Sequence, residues 1–383
     1  MRIGIEWFGG GLGETGGVQV YARGLAQALA DHAPAGHEVV LLGGEAEAGP
    51  RLGAAPMPPR RRASRGLALA AAQRLVLGRV GRDRVGRAID ALGLDVVHYP
   101  ATRIREMGLR TPAVLTFFDM QEEFFPLLFP RRERWARRLS HRASVAQADL
   151  VIAPSRFTAE CLATRYGTPE RKMIRIPVGV SHDFHPGPVR SDAAILGAHD
   201  LDPGSYLLYP AHPWPHKNHS RLLAAVRRVN ERTGRSLPLV CTGTLAGRSS
   251  GLPALAASAG LAPGDVRDLG FVAASDMPAL YRAARALVFP SRFEGFGIPV
   301  LEAMAAGGPV AAAEATALPE LAAGAARLFD PDDVDAMAAA VAAVRDDESL
   351  RAELVARGLT RAAEFRWERL VPRVLEAYER ARA

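Results

Sequence analysis

Apolar and polar positions along the chain fall into two successive series, in each of which short apolar runs exchange with longer stretches of helical spacing. The first series of apolar runs is Ile3–Phe8, Glu38–Leu42, Val96–Tyr99, Ala113–Phe117, Leu150–Ala153 and Met173–Ile176, with helical stretches such as Val18–Ala30 and Arg131–Ala148 between them. The second is Tyr206–Tyr209, Leu237–Thr242, Val266–Leu269, Ala286–Phe289, Val310–Ala313 and Arg327–Phe329, separated by helices rich in Ala, Leu and Arg. Such alternation predicts an α/β protein with two parallel, doubly wound sheets. Between the series, Val180-Ser-His-Asp-Phe-His-Pro-Gly-Pro188 and the polar stretch to Gly204 are dense in Pro and Gly and lack periodicity. The expected division is therefore a first domain over 1–183, a linker over 184–204 and a second domain over 205–366, with a closing helix over 367–383 packing back on the first. The segment Gly43 to Ala70, rich in Gly, Pro, Ala and Arg, is expected to be a mobile excursion and not a third domain.

Composition agrees with two cores, since 383 residues exceed one typical domain and 48% of them are apolar. The chain opens on the apolar run Ile3-Gly-Ile-Glu-Trp-Phe8 with no cleavable signal, and no membrane-length apolar stretch follows, so a soluble, cytoplasmic protein is expected. Cys161 and Cys241 fit no metal spacing and read as reduced core thiols. A net charge of +7 and a pI near 9.9 could signal nucleic acid, an anionic membrane or anionic substrates. The basic residues are almost all arginine, densest in Arg60–Arg62, Arg74 to Arg87 and Arg131–Arg138, and Lys172 and Lys217 are the only lysines. No aromatic interleaving accompanies the arginines, and nucleic acid is not an expected partner.

The candidate chemistry lies mainly in the second half. In Val288-Phe-Pro-Ser-Arg-Phe-Glu-Gly-Phe-Gly-Ile-Pro-Val-Leu-Glu302 a strand runs through a glycine turn into a helix that has Pro299 in its first turn. Free amides at such a start attract phosphate, and the carboxylates Glu294 and Glu302 on either side can accept hydrogen bonds from sugar hydroxyls. The bland alternative is an ordinary loop whose Glu302 faces its own helix dipole. The loop Tyr209-Pro-Ala-His-Pro-Trp-Pro-His-Lys217-Asn-His219 follows another strand, and an ammonium there could neutralise a diphosphate, or Lys217, Asn218 and His219 could merely cap the next helix. His212, His216 and His219 lack a carboxylate partner and make a poor metal set. Asp330-Pro-Asp-Asp333 reads as a cap for a helix over Val334–Val344. Near the N-terminus, Gly11-Leu-Gly13-Glu-Thr-Gly16 formally matches a dinucleotide fingerprint, with Glu45 as a ribose carboxylate, but the turn from Phe8 to Val18 is looser than that fingerprint requires.

Together, Gly16-Gly17 before a Tyr-containing helix, the His-Lys-Asn loop and the run from Phe289 to Gly307 resemble the retaining GT-B glycosyltransferases of the group-1 or family-4 lineage. Asp95–Tyr99, Ala148–Ser155 and Phe365-Arg-Trp-Glu368 add to the resemblance, which is most specific over residues 205–310. It implies two Rossmann-like domains facing across a cleft, the N-terminal one for the acceptor and the C-terminal one for a nucleotide diphosphate sugar. The implied activity is metal-independent, cofactor-free transfer of a hexose-type sugar to an acceptor hydroxyl with retention. It also implies that Glu302 binds ribose, Glu294 the transferred sugar, and Gly295, Phe296, Gly297 and Ile298 the sugar and diphosphate through their amides. Lys217 would hold the diphosphate, and Gly16 and Gly17 would close over it. Two positions depart from the family pattern. Ala211-His212-Pro213 stands where relatives place an arginine, leaving His212 or Arg292 as substitutes, and Phe118 occupies a histidine position, leaving Asp119 to orient the acceptor or cap a turn. The competing readings are an NAD(P)-dependent oxidoreductase using the N-terminal glycine loop and a non-catalytic nucleotide-sugar binder.

Phe117 to Pro130 holds five phenylalanines and runs into the arginine-rich helix. It reads either as core, with Phe117, Phe124 and Leu128 inside and the arginines solvated, or as a surface for a lipid-linked or aromatic acceptor and for peripheral contact with the inner membrane face.

Overall fold

The computed structural model describes residues 1–7, 16–43, 52–58, 83–106, 108–118, 120–243 and 251–383. Two compact units emerge, one comprising the opening strand with Gly17–Gly179 and Trp367–Ala383, the other Val180–Arg366 together with Gly16. The first is built on a seven-stranded sheet of β1 (Arg2–Glu6), β2 (Glu38–Leu42), β3 (Leu52–Ala55), β4 (Val96–Tyr99), β5 (Ala113–Thr116), β6 (Leu150–Ala153) and β7 (Met173–Arg175). Its order is β3-β2-β1-β4-β5-β6-β7, with every pairing parallel. The second has six strands, β8 (Leu207–Pro210), β9 (Leu239–Thr242), β10 (Val266–Asp268), β11 (Ala286–Phe289), β12 (Val310–Ala313) and β13 (Arg327–Phe329). They are ordered β10-β9-β8-β11-β12-β13, again all parallel. Apolar runs of this length become strands because helices cover both faces, and β4, β5, β6, β9, β11 and β12 are buried at every position.

Local chemistry sets where the helices start and stop. Ser155 Oγ accepts from Thr158 N at 3.0 Å to open Arg156–Tyr166, and Gly167 closes that helix at φ 64°. Asp333 Oδ1 accepts from the amides of Asp335 and Ala336, so the Asp330–Asp333 run does act as a cap, for the helix Val334–Asp346.

Three expectations need correction. Gly43 to Ala70 is not merely an excursion, because Leu52–Ala55 within it pairs along β2 as the edge strand β3. Residues 184–204 are not a linker. They belong to the second unit and include the helix Asp192–Ala198, tied down by Arg282, whose guanidinium reaches Asp192 Oδ1 at 2.6 Å and the Asp183 carbonyl at 3.0 Å. The division accordingly falls after Gly179, four residues earlier than the first-domain limit read at 183.

Helix Trp367–Arg382 completes the first unit. Its Tyr378 hydroxyl lies 2.7 Å from His98 Nδ1, His98 Nε2 lies 2.7 Å from Thr116 Oγ1, and that hydroxyl lies 3.1 Å from the Tyr21 hydroxyl. Burial drives the His98 pKa down to about 3, so this chain of hydrogen bonds is uncharged. Gly179 is required beside the same helix, since a Cβ there would come within 2.3 Å of Trp367 Cδ2.

In the second sheet the strand order reverses between β8 and β11, which are direct neighbours. Loops leaving the carboxyl ends of such a pair diverge to opposite faces and leave a crevice, the usual place for a ligand in a doubly wound fold.

Candidate functional site

Both of those loops carry the residues singled out by the sequence. After β8 the chain passes through Ala211, His212 and Pro213 into the short turn Pro215–Lys217. Three bonds fix the turn: Lys217 N donates to Trp214 O at 2.8 Å, the Tyr209 hydroxyl donates to Lys217 O, and Arg292 N donates to His216 O at 2.9 Å. The last of these joins the two loops directly. Asn218 has a left-handed backbone, φ 64°, and its buried Nδ2 donates to Pro290 O at 3.2 Å and Pro331 O at 2.7 Å. Asn218 stands at the N-cap of the following helix, and its carbonyl accepts from Leu222 N at 3.2 Å, but its side chain makes no capping bond and bridges the loops instead.

After β11, Ser291 Oγ donates to Phe293 O at 3.1 Å, and Glu294 N donates to Thr316 Oγ1 at 2.9 Å. Gly297 then turns the chain at φ 110°, where a Cβ would lie 2.6 Å from Leu318 Cδ2. Only glycine fits that conformation and that space. Helix Ile298–Ala305 starts there, with Pro299 in its first turn as expected.

The side chains meet in a definite way. Lys217 Nζ lies 2.5 Å from Glu294 Oε1, with 19% and 14% of the two side chains exposed, and the ammonium sits 5.6 Å from the centre of the Phe289 ring. One turn into the helix, part-buried Glu302 accepts from the Tyr281 hydroxyl at 2.7 Å. Desolvation pushes the Glu302 carboxyl up to about 7, and the tyrosine bond opposes that rise. Arg292 is turned toward Asp332, Nε to Oδ1 at 3.1 Å. His212 stands edge-on to Trp214 with ring centres 5.0 Å apart. His216 and His219 are buried, and burial holds their pKa values down at about 3 and about 4, so both are neutral. Among the described residues no three His, Cys, Asp or Glu side chains gather in a way that could hold a metal ion.

Lys217, Glu294, Glu302 and the turn Gly295, Phe296, Gly297 and Ile298 thus come together at one switch point, with the Phe296 ring buried edge-on to Phe365 at 5.9 Å. Gly16 and Gly17 stand exposed at the start of helix Gly17–His32 in the N-terminal half. Asp119, Glu45 and the glycine run over 8–15 lie outside the described residues. Phe118 packs edge-on to Tyr21 at 5.0 Å, and its amide donates to Thr102 Oγ1 at 3.2 Å. Two functional partners escaped the sequence reading, Tyr281 and Thr316, which lie 21 and 22 residues from the carboxylates they hold or position. The only available signal was the helix bearing Tyr281, beside a strand already known to lead into the site.

The family described as Glycosyl transferases group 1 matches residues 204–347, and Glycosyltransferase Family 4 matches 15–184. The O-antigen chain mannosyltransferase B of Escherichia coli is 33% identical over 268 residues, 70% of this chain and 70% of that protein. The serotype-specific mannosyltransferase WbdA of Escherichia coli is 28% identical over 62% of this chain, a match spanning 29% of its own length. Among solved structures, the sucrose-phosphate synthase of Thermosynechococcus elongatus superposes with a TM-score of 0.76 at 20% identity, covering 99% of this chain and 98% of that one.

Proposed function

The chain belongs to the group 1 glycosyltransferases of the GT-B fold, and from that premise we propose that it transfers a hexose-type sugar from a nucleotide diphosphate sugar to an acceptor hydroxyl with retention. The observation that carries this reading is the Lys217–Glu294 pair, 2.5 Å apart, beside a glycine-turned helix start and Glu302 at the switch point. Glu302 accepts from the ribose hydroxyls, Glu294 from the sugar hydroxyls, and Lys217 with the amides of Gly295 to Ile298 holds the diphosphate. With no donor bound, the ammonium and the carboxylate neutralise each other. Donor entry exchanges partners, as the diphosphate takes Lys217 and Glu294 is released to the sugar. In the reaction the anomeric C–O bond to phosphate breaks while the acceptor oxygen bonds on the same face, and the leaving phosphate takes the acceptor proton. Negative charge grows on that phosphate in the transition state, where a fixed ammonium is worth most.

No metal ion or further cofactor has a role in this scheme, and the site of action proposed is the cytoplasm. The mannosyltransferase of Escherichia coli, 33% identical, supports mannose as the first sugar to try and a glycan as acceptor. A titration with GDP-mannose, GDP, UDP, dTDP and NADH tests the donor, followed by transfer assays in which NMR reads the anomeric configuration. Affinity for NADH with none for nucleoside diphosphates would return the protein to the oxidoreductase reading, and an inverted product would remove retention. Phe118, packed on Tyr21 at the expected histidine position, favours one second reading, a binder without turnover. Hydrolysis or transfer of radiolabelled donor excludes it.

A further inference from the structure

Residues 121–130 are held in place from several sides. Glu122 Oε1 lies 2.8 Å from His141 Nδ1, with both side chains almost wholly buried, and Glu123 Oε1 lies 2.6 Å from Arg138 Nε. Phe124 packs on Phe157 at 5.5 Å beneath the Arg165 guanidinium at 4.3 Å, and Arg137 covers the Phe129 ring at 4.7 Å. Leu128 N donates to Phe125 O at 3.0 Å and closes the turn Pro126–Leu128. This fixed segment nevertheless holds Leu127 97% exposed and Leu128 43% exposed, so Leu128 is not the core residue that the sequence allowed it to be.

The helix that follows, Arg131–Gln147, buries Ala136, Ser140, Ala143, Ser144 and Gln147 on one side. On the opposite side, at helical spacing, Arg131, Trp135, Arg138 and Arg142 are exposed, with 53% of Trp135 open. Of the six large apolar residues exposed among the described ones, three are Leu127, Leu128 and Trp135. Single exposed apolar residues are ordinary, but here a fixed turn exposes two leucines and is bonded through Pro126 O to Arg134 Nη1 at 3.5 Å, the residue before exposed Trp135, so the three form an unpartnered patch.

We propose that this face docks on an anionic lipid bilayer, with Leu127 and Leu128 entering the headgroup region, Trp135 at the interface and the arginines on lipid phosphates. Charge decides between occupants: the helix carries six arginines against the single acid Glu133. A second copy would set the same arginines against each other, because a two-fold interface pairs like with like. Anionic headgroups complement them, tryptophan favours that depth, and long arginine stems let the charge stay at phosphate level. With so few apolar residues inserted, the contact would be peripheral and reversible. The inference does not depend on the donor site.

The test is sedimentation of the full chain with vesicles of phosphatidylcholine alone and with about a third phosphatidylglycerol, at low and high salt. Expected is binding to the anionic vesicles only, weakened by salt and reduced about tenfold both in Leu127→Asp/Trp135→Ala and in Arg131→Glu/Arg132→Glu. All four positions are exposed, and circular dichroism and thermal melting check that the variants fold. The proposal is overturned if the anionic vesicles do not bind, if the apolar double variant binds like the parent, or if light scattering instead finds a dimer that Leu127→Asp abolishes.

Discussion

At the scale of single residues, Glu302 combines a functional demand with a cost in stability. Its pKa in the fold is raised from the ordinary 4.5 to about 7, so the protonated form is the one folding favours. The sign follows: that advantage is whole below about pH 4.5 and is lost as pH rises through about 7, leaving an ionised Glu302 that costs at most about 3 kcal/mol. Glu302→Gln should therefore raise the melting temperature at pH 8 while weakening nucleotide binding. Calorimetry and a nucleotide titration on one sample check both halves, and a lower melting temperature would contradict the first. If Glu302 takes the ribose hydroxyls as the carboxylate, as proposed, nucleotide affinity should fall by up to about tenfold per pH unit below 7. Tyr281→Phe should move that limb to higher pH, because the hydroxyl opposes the rise in pKa. At the neighbouring pair, Lys217→Ala should lower turnover by about 10²–10³-fold. Glu294→Gln should also slow transfer yet leave the free nucleoside diphosphate bound as tightly or more so, since it releases the ammonium. If both variants weaken the diphosphate equally, the proposed exchange of partners does not occur.

At the scale of elements, turns and buried pairs decide what can be changed. Gly297→Ala would force a positive φ on a side chain and press it on Leu318, costing about 1–3 kcal/mol, which denaturant unfolding can read. Glu122→Ala would leave the buried His141 ring without its carboxylate partner and should cost about 1–3 kcal/mol in the same measurement. Strands such as β6 and β11 were legible because each is a continuous apolar run ended by a proline, and the Glu294 turn was legible because it needs glycine and proline at fixed places. β3 was not, since Leu-Gly-Ala-Ala has little strand character of its own and exists through its pairing with β2. Helix Asp192–Ala198 was hidden among prolines and glycines, its place set by an ion pair to Arg282, 90 residues away. The members of the candidate site could be read from the sequence, but not that Lys217 and Glu294 close on each other across 77 residues.

At the scale of the whole molecule, the two units differ in how the chain supplies them. Of the described residues, the second takes Gly16 and otherwise the single stretch Val180–Arg366, whereas the first needs Trp367–Ala383 to cover Tyr21, His98 and Thr116. A chain ending at residue 366 should keep one cooperative melting transition, from the second unit, and lose the other; retention of both by calorimetry would show that the final helix is dispensable. The order of synthesis adds a consequence. A ribosome delivers every residue from 180 to 366 before it delivers the helix that finishes the earlier unit. The half of the chain made first is therefore the half that matures last, waiting with an apolar face open while its neighbour is translated, and it is there that chaperones should bind the nascent protein.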